Sequence, residues 1–234
     1  MLALILAMTM VSATSEPILR VGTTGDYPPV TYHDPRTGRF SGQDIALIEA
    51  FARDRGYRVE LVLTTWPTLM EDLRASRFQV AVGGISKTDA RASQALVSEP
   101  LARTGKVALV RCGEETRYGS IEVIDTPETT VVEDRGGTNE QFALAHIRQA
   151  ALILLADNEM PFAYLLDRKA DVMFTDSIEA VYRQQSTPGL CAVRPDEPYT
   201  RVEKVFLFRK DEGALRDRFD QWFATRSEPS DRSL

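Results

Sequence analysis

The chain has 234 residues and a formal net charge of −6 at pH 7, with 43% hydrophobic and 26% charged residues. These values are ordinary for a globular protein and leave room for two small lobes that each bury a core. The acidic balance and the lack of a clustered basic stripe argue against nucleic acid as a partner, because phosphate backbones bind to basic surfaces.

A secretory signal peptide is the first predicted element, over residues 1–14. An apolar run from Leu2 to Val11 precedes the small residues Ser12 and Ala13, where a signal peptidase would cut. Ten apolar residues are too few to cross a bilayer, which takes about 20, so no stable membrane insertion is expected. No Lys or Arg precedes the run, so the signal could be incomplete and the true start could lie upstream of Met1. The alternative is a buried first strand; the signal predicts a periplasmic protein.

From residue 17 the apolar pattern predicts alternating strands and helices. The predicted strands are 18–22, 57–63 and 78–82, and the predicted helices are 44–55 and 66–74. Gly56 is a typical helix stop, and Pro67 suits a first helical turn. Short helices between apolar strands predict a parallel sheet that is covered on both faces.

The same alternation then restarts, which predicts a second sheet. The predicted strands are 106–111, 129–132, 151–155, 171–175 and 203–208, and the predicted helices are 140–148, 161–166, 177–185 and 212–225. We therefore expect an α/β protein in which residues 17–106 and 195–234 form lobe 1 and residues 107–194 form an inserted lobe 2. The polar tail 227–234 is expected to fray.

The chain has two cysteines, Cys112 and Cys191. In an exported protein they suggest one disulfide, which would close a loop of about 80 residues and stabilise the fold by about 4 kcal/mol. The alternative is two reduced, buried thiols. No metal site is expected, because His33 and His146 have no Cys or His partner at ligand spacing.

Polar segments follow several predicted strands, at the sheet edge where open α/β proteins bind ligands. They are Thr23–Tyr27, Thr65–Pro67, Gly83–Ser86 followed by Arg91, and Gly136–Asn139. Glycines let a ligand approach the backbone, free N–H groups at a helix start favour an anion, and a guanidinium fits a carboxylate. Two such anion sites on opposing lobes would suit a molecule with two carboxylates. Taken singly, each glycine pair fits a tight turn, and Arg91 fits an exposed salt bridge.

Asp176 and Glu179 form an acidic pair just after the predicted strand 171–175. Three residues apart on a helix, both carboxyl groups could face the same cleft, one ionised and the other kept protonated as a general acid. The same spacing also fits a capping box, with Asp176 as N-cap and Glu179 as its partner. Spacing alone favours the capping box.

The order of these motifs resembles the periplasmic cyclohexadienyl dehydratases, which belong to the amino-acid-binding family of solute-binding proteins. The resemblance extends from about Leu19 to Trp222, after which these enzymes usually continue through one more helix. Gly84, Ser86 and Arg91 match plain amino-acid binders as well. The segments that are more specific to the dehydratases are Trp66–Pro67, Gly137–Glu140 and Asp176 with Glu179; Asp157–Asn158, Ala170–Asp176, Leu190–Val193 and Glu203–Lys204 also match.

The resemblance implies a two-lobed periplasmic binding-protein type II fold with its ligand cleft between the lobes. It implies a reaction that needs no cofactor and converts prephenate to phenylpyruvate, or arogenate to phenylalanine, with loss of water and carbon dioxide. Glu179 would be the general acid, oriented by Tyr27, and Asn139 would hold the carboxylate that leaves. Arg91 would hold the side-chain carboxylate, and Trp66 would pack on the ring. The implied substrate-binding residues are Tyr27, Trp66, Gly84, Ser86, Arg91, Gly137, Thr138, Asp176 and Lys204.

The alternative function is a non-catalytic binding protein that delivers an amino acid or small carboxylate to an ABC transporter. Glu179 separates the two hypotheses, because a binder has little use for a buried proton donor that faces its ligand. The sequence leaves open whether prephenate or arogenate is preferred and whether the chain forms a homo-oligomer.

Overall fold

Two separate main sheets organise the chain, each with helices on both of its faces. The computed structural model describes residues 16–226, so the predicted signal peptide and the predicted frayed tail lie outside the described residues. Each sheet belongs to one lobe, which confirms the two-lobed α/β architecture. The exact lobe boundaries, with residues 107–194 as the insert, stay a prediction.

Lobe 1 contains the chain up to its first crossing. In chain order its elements are β1 (Ile18–Thr23), β2 (Asp26–Tyr27), β3 (Thr31–Asp34), β4 (Arg39–Ser41), α1 (Gln43–Asp54), β5 (Arg58–Leu63), α2 (Leu69–Arg74), β6 (Val80–Ser86), α3 (Asp89–Ala92), β7 (Leu96–Val97) and β8 (Ala102–Thr104).

Lobe 2 follows, and the chain then returns to lobe 1. The elements of lobe 2 are β9 (Lys106–Arg111), α4 (Ile121–Ile124), β10 (Thr130–Asp134), α5 (Thr138–His146), β11 (Ala151–Leu155), α6 (Met160–Leu166), β12 (Val172–Asp176), α7 (Ser177–Ser186) and β13 (Leu190–Val193). The returning elements are β14 (Val202–Phe208) and α8 (Gly213–Ala224).

The sheets are mixed rather than wholly parallel, which corrects the sequence prediction. The strand order is β5-β1-β6-β14-β7 in lobe 1 and β11-β10-β12-β9-β13 in lobe 2. The pairs among β1, β5 and β6 and among β10, β11 and β12 are parallel as predicted, whereas β14 and β9 run antiparallel to β6 and β12. The reason is topological: β6 and β12 end at the cleft, and a strand that enters a lobe from the cleft must run the other way.

Sequence patterns missed the short strands and shifted one helix start. Strands β2, β3 and β4 form a small antiparallel sheet that precedes α1. The helix predicted from Trp66 begins at Leu69, because Thr65–Thr68 form a hydrogen-bonded turn. Strands β7, β8 and β13 were not predicted, since two to four residues are too few to show a period.

Apolar helix faces close both sides of each sheet. In α8, Leu215, Phe219 and Trp222 recur at helical spacing and pack beside Phe51 of α1 in one core of lobe 1. A second cluster covers the opposite face of that sheet, and two more flank the sheet of lobe 2. Helices cover both faces of each sheet, so a ligand can reach the sheets only at the strand ends that face the cleft.

The lobes are connected where Gly105 passes Thr200. A side chain at Gly105 would place its Cβ 1.7 Å from the carbonyl oxygen of Thr200, so the crossing needs a glycine. The Lys106 N–H donates to Thr200 Oγ1 (2.9 Å), and the Tyr199 N–H donates to the Lys106 carbonyl (2.8 Å). These bonds fix the start of β9 beside the returning chain.

Cys112 and Cys191 form the predicted disulfide, with a sequence separation of 79 and Cα atoms 4.8 Å apart. Cys112 follows β9, and Cys191 lies in β13, which pairs with β9. The bond therefore joins the entry and exit strands of lobe 2. Among residues 16–226, no helix combines the length and the apolar character needed to cross a membrane.

Candidate active site

The cleft between the lobes contains a small cavity lined by residues of both. Ten of the eleven predicted catalytic and substrate-binding residues line it, and Glu179 does not. The full lining is Tyr27, Trp66, Gly84, Ser86, Arg91, Asp134, Gly137, Thr138, Asn139, Asn158, Asp176 and Lys204. Its volume of about 20 Å³ holds no organic acid, so such a ligand enters only when the lobes stand further apart.

Asp176 is the centre of the charged groups in the cavity. Its Oδ2 accepts hydrogen bonds from Tyr27 Oη (2.8 Å) and Lys204 Nζ (2.6 Å), and its Oδ1 lies 3.1 Å from Lys106 Nζ. Burial alone would raise the pKa of this carboxyl, but the two ammonium groups outweigh burial and hold the pKa well below its usual range. Asp176 is therefore ionised and already has three partners.

The two lysines arrive through the register of the crossing strands. Lys106 is the first residue of β9 and pairs with Asp176, the last residue of β12. Lys204 in β14 pairs with Ser86, the last residue of β6, and donates to the Gly84 carbonyl (2.7 Å) and to Ser86 Oγ (2.9 Å). Each antiparallel crossing strand thus places a buried ammonium at the cleft end of a parallel strand.

Asn139 lies in the first turn of α5 and lines the cavity together with Gly137 and Thr138. Its Oδ1 accepts a short hydrogen bond from Lys106 Nζ, and its Nδ2 donates to Asp134 Oδ1 (3.3 Å). Burial and the nearby Asp26 raise the pKa of Asp134 to about 6, while Asn139 opposes the rise. The helix start, the Asn139 amide and Lys106 together supply donors for an anion from lobe 2.

Glu179 is fully buried directly behind the cavity wall. Its Oε2 accepts a hydrogen bond from Thr175 Oγ1 (2.6 Å), and its Oε1 accepts one from Asn158 Nδ2 (3.0 Å). Burial raises the pKa of Glu179 to about 8; Arg183 and the Thr175 hydroxyl oppose the rise, and Asp134 and Glu159 add to it. At neutral pH the group therefore holds a proton.

The capping-box interpretation of Asp176 and Glu179 is contradicted by their hydrogen bonds. Asp176 does occupy the N-cap position of α7, but its side chain forms no capping hydrogen bond. Its oxygens face lysines and Tyr27, and Glu179 bonds to Thr175 and Asn158. Tyr27 bonds to Asp176 rather than to Glu179, which corrects the expected orienting role of the phenol.

Arg91 is buried in lobe 1, so it is not the exposed salt bridge that its position alone allowed. Its Nη1 donates to the Ser86 carbonyl (2.8 Å), and its guanidinium carbon lies 5.8 Å from the centre of the Trp66 ring. Burial lowers the pKa of Arg91 to about 10, against the attraction of Asp176, so the group stays cationic at neutral pH. Trp66 also meets the Tyr27 ring edge-on at 6.5 Å, and these side chains form one aromatic and cationic wall.

The glycines of β6 contact other residues of the protein and leave no free N–H group for a ligand anion at Gly83 or Gly84. The N–H groups of Gly83 and Gly84 donate to Asp44 Oδ2 at 3.0 and 2.8 Å, so they are engaged rather than free for an anion. Gly84 has φ +69°, and a Cβ there would approach the Tyr27 ring to 2.7 Å. Glycine at this position lets the phenol lie flat against the strand and reach Asp176.

Several contacts bridge the lobes across the cavity. Besides the bonds from Tyr27 and Lys204 to Asp176, Asn158 Nδ2 donates to the Asp26 carbonyl (2.9 Å). Gly136, with φ +84°, lies so close to Pro67 that an added Cβ would be 2.6–2.7 Å from three atoms of that residue. The described conformation is thus a closed one.

Sequence reasoning missed Lys106, Asp134, Asn158 and Thr175 as members of the site. Asp134 ends β10 and Thr175 is the last residue but one of β12, so a stricter use of the strand-end rule would have found them. Lys106 begins a strand, and only the antiparallel crossing brings it to the cleft. Asn158 lies in a loop and carries no local pattern; its signal was the match of Asp157–Asn158 to the dehydratases.

Comparison with known proteins identifies the class. The model of the bacterial extracellular solute-binding proteins, family 3, matches residues 19–229, and the chain belongs to this family. A cyclohexadienyl dehydratase from Pseudomonas aeruginosa is 40% identical over 205 residues, which cover 88% of this chain and 76% of the relative. The resemblance predicted from the motifs is thereby confirmed.

Other relatives are binding proteins. An L-cystine-binding protein from Escherichia coli is 25% identical over 193 residues, 82% of this chain and 71% of the relative. The crystal structure of an ancestral amino acid-binding protein, described as a precursor of cyclohexadienyl dehydratase, superposes with a TM-score of 0.82 at 28% identity and covers 91% of both chains. The fold is therefore the type II periplasmic binding-protein fold, as predicted.

Proposed function

We propose that the chain is an exported cyclohexadienyl dehydratase that acts in the periplasm on prephenate, arogenate or both. The observation that carries this proposal is Glu179: a fully buried carboxyl with a pKa raised to about 8, located one side chain behind the ligand cavity. A plain binding protein gains nothing from such a group, and burying a carboxyl without a direct hydrogen bond to a cation costs stability. The relative from Pseudomonas aeruginosa supports the same conclusion.

The reaction needs a positioned acid more than any other chemistry. The bond from the ring to its carboxylate breaks and releases carbon dioxide, and its electron pair enters the ring as the ring–hydroxyl bond breaks. Hydroxide is a poor leaving group near neutral pH, so Glu179 gives its proton to the departing oxygen and water leaves. The Glu179 carboxylate then regains a proton from solvent. Because the ring becomes aromatic, the residues around it mainly orient the substrate.

The donors of the cleft fit a substrate with two carboxylates. In lobe 1 the buried Arg91 offers its guanidinium to the side-chain carboxylate, and Trp66 offers a face to the ring. In lobe 2 the N-terminus of α5 and Asn139, backed by Lys106, receive the carboxylate that is lost. Asp134 beside Asn139 favours departure of that negative charge as neutral carbon dioxide.

Access of Glu179 to the substrate depends on Asn158. The amide of Asn158 bridges Glu179 in lobe 2 to the Asp26 carbonyl in lobe 1. A substrate that occupies the cleft holds the lobes further apart than the described conformation and breaks this bridge. Once this bridge is broken, the Glu179 carboxyl is the next group that the substrate meets in lobe 2.

The test is turnover by the purified mature protein. We expect prephenate to yield phenylpyruvate, or arogenate to yield phenylalanine, without any added metal or cofactor. Glu179→Gln keeps the shape but cannot donate an acidic proton, so kcat should fall by about 10²–10⁴-fold while binding of a product-like acid persists. Glu128→Gln, an exposed position of lobe 2, is the control for the same change of charge.

A different result would favour the transport alternative. If the wild-type protein turns over neither substrate but binds an amino acid or a small carboxylate, the chain is a solute-binding protein without catalysis. If Glu179→Gln turns over substrate at the wild-type rate, the enzyme stands but Glu179 is not its acid.

A further inference from the structure

Arg183 and Glu159 form an ion pair beside Glu179. Arg183 follows Glu179 by one helical turn in α7, and its Nη2 is 3.6 Å from Glu179 Oε1, too far for a hydrogen bond. The guanidinium instead bonds Glu159 with both arms, from Nη1 to Oε2 (3.1 Å) and from Nη2 to Oε1 (2.5 Å). Arg183 is buried and stacks on Phe162, with 3.8 Å between its guanidinium carbon and the ring centre.

We propose that Glu159 is a positioning residue for the general acid: by pairing with Arg183, it keeps that cation from drawing the proton out of Glu179. This inference rests on the proposed function only in calling Glu179 the acid. The electrostatic relation itself exists whether or not the protein is an enzyme.

Charge and geometry support the proposal. A lone guanidinium about 4 Å from a buried carboxyl favours its ionised form strongly, typically by about 1–3 pKa units. Glu159 offsets part of this field, because its carboxylate bonds both Nη atoms of the same guanidinium. The pKa of Glu179 responds accordingly: after burial, Arg183 is the largest influence and lowers it, and Glu159 raises it.

One loop places both partners of the acid. Asn158 donates to Glu179, and the next residue, Glu159, holds Arg183. Asp157 fixes this loop by accepting hydrogen bonds from the N–H groups of Glu159 (3.0 Å) and Met160 (2.9 Å). Three consecutive residues thus orient the Glu179 carboxyl and set the charge beside it.

The other titratable groups near Glu179 do not replace the field of Arg183. Asp134 raises the pKa of Glu179, and burial raises the pKa of Glu133 and of Tyr27 well above their usual ranges, which favours the neutral form of each. Asp176, three residues earlier, is paired with lysines. Arg183 is therefore the cation whose field a substitution at 159 would release.

The experiment compares Glu159→Gln with the wild-type protein in two readouts. Difference infrared spectroscopy follows the carbonyl stretch of the protonated Glu179 carboxyl as pH rises, with Glu179→Gln to identify the band. Because the Glu159 side chain is 47% exposed and its charge is partly screened, we expect Glu159→Gln to move the midpoint down by about 1 pH unit. A general acid works only below its pKa, so the alkaline limb of kcat should move down as well, with a loss of about fivefold at pH 8 and little change at pH 6.

Two further variants separate charge from structure. Glu128→Gln should leave the midpoint unchanged. The double variant with Glu159→Gln and Arg183→Met removes the cation that was released, while Met still packs on Phe162; its midpoint should return to the wild-type value or above. A purely structural role of Glu159 would predict no such rescue.

Each outcome decides one question. An unchanged infrared midpoint in Glu159→Gln, or a midpoint that stays low in the double variant, overturns the proposal. A midpoint that falls and is rescued, in a wild-type protein that converts neither prephenate nor arogenate, sustains the electrostatic role of Glu159 and rejects the proposed enzyme function.

Discussion

The raised pKa of Glu179 makes the free energy of unfolding of the protein depend on pH. The folded chain holds a proton on this carboxyl up to about pH 8, whereas an unfolded chain releases it above about pH 4.5. Unfolding therefore releases a proton between these two values, and the free energy of unfolding falls as pH rises through that window. Below the window both states are protonated, and above it both are ionised.

The corresponding prediction concerns Glu179→Gln. Because glutamine does not titrate, the variant should gain stability relative to wild type by about 2–4 kcal/mol between pH 5 and pH 8. Urea unfolding at the two pH values measures the difference. The same stability difference at both pH values would show that Glu179 is already ionised in the folded protein.

Arg91 gives the second prediction at this scale. The planar guanidinium of Arg91 presents two parallel N–H donors, which the single ammonium of a lysine cannot reproduce. The same planar group also contacts the Trp66 ring. Arg91→Lys should weaken binding of a carboxylate ligand by about tenfold to a hundredfold, since a charged hydrogen bond contributes about 1.5–3 kcal/mol. Calorimetry with Arg74→Lys, an exposed position of α2, as the control measures this. Equal affinities would remove Arg91 from the binding site.

At the scale of elements, the strand that crosses between lobes decides what the cleft contains. The sequence predicted the parallel strands and the residues that follow them, because periodicity and turn residues are local signals. It could not predict that β9 runs against β12, and so it missed Lys106, which only this pairing brings to Asp176. The capping box failed for a related reason: local spacing fitted it, but lysines from two other strands bond Asp176, and Thr175 and the loop residue Asn158 bond Glu179.

The crossing itself is testable at Gly105. Gly105→Ala would drive a Cβ to 1.7 Å from the Thr200 carbonyl oxygen, so the two chains must separate and the start of β9 must shift. We expect a loss of about 1–3 kcal/mol in the free energy of unfolding. We also expect kcat to fall while the protein remains folded, because Lys106 moves with the backbone. Gly119→Ala, whose nearest neighbouring atom would be 3.9 Å away, is the control and should be nearly neutral.

At the scale of the whole molecule, Gly136 sets how closely the lobes approach. It contacts Pro67 of the other lobe, and a methyl group there would overlap three of its atoms. Gly136→Ala should therefore favour the open arrangement, with a larger radius of gyration by X-ray scattering and lower ligand affinity. Gly38→Ala carries a similar backbone strain at φ +68° but meets open space, so it should change stability without changing shape. Equal scattering curves for the two variants would contradict this role.

The Cys112–Cys191 bond has a consequence for how the protein survives damage. The 79-residue separation encloses Asp134, Asn139, Asn158, Asp176 and Glu179 in one covalent ring. A protease that cuts a single loop within lobe 2 therefore opens the ring but releases no fragment, and both pieces remain tethered to lobe 1. On a gel, the nicked chain should migrate near its full length until a reductant is added and then separate in two. Such a nicked protein keeps every site residue covalently attached, because each piece remains joined to the rest of the chain.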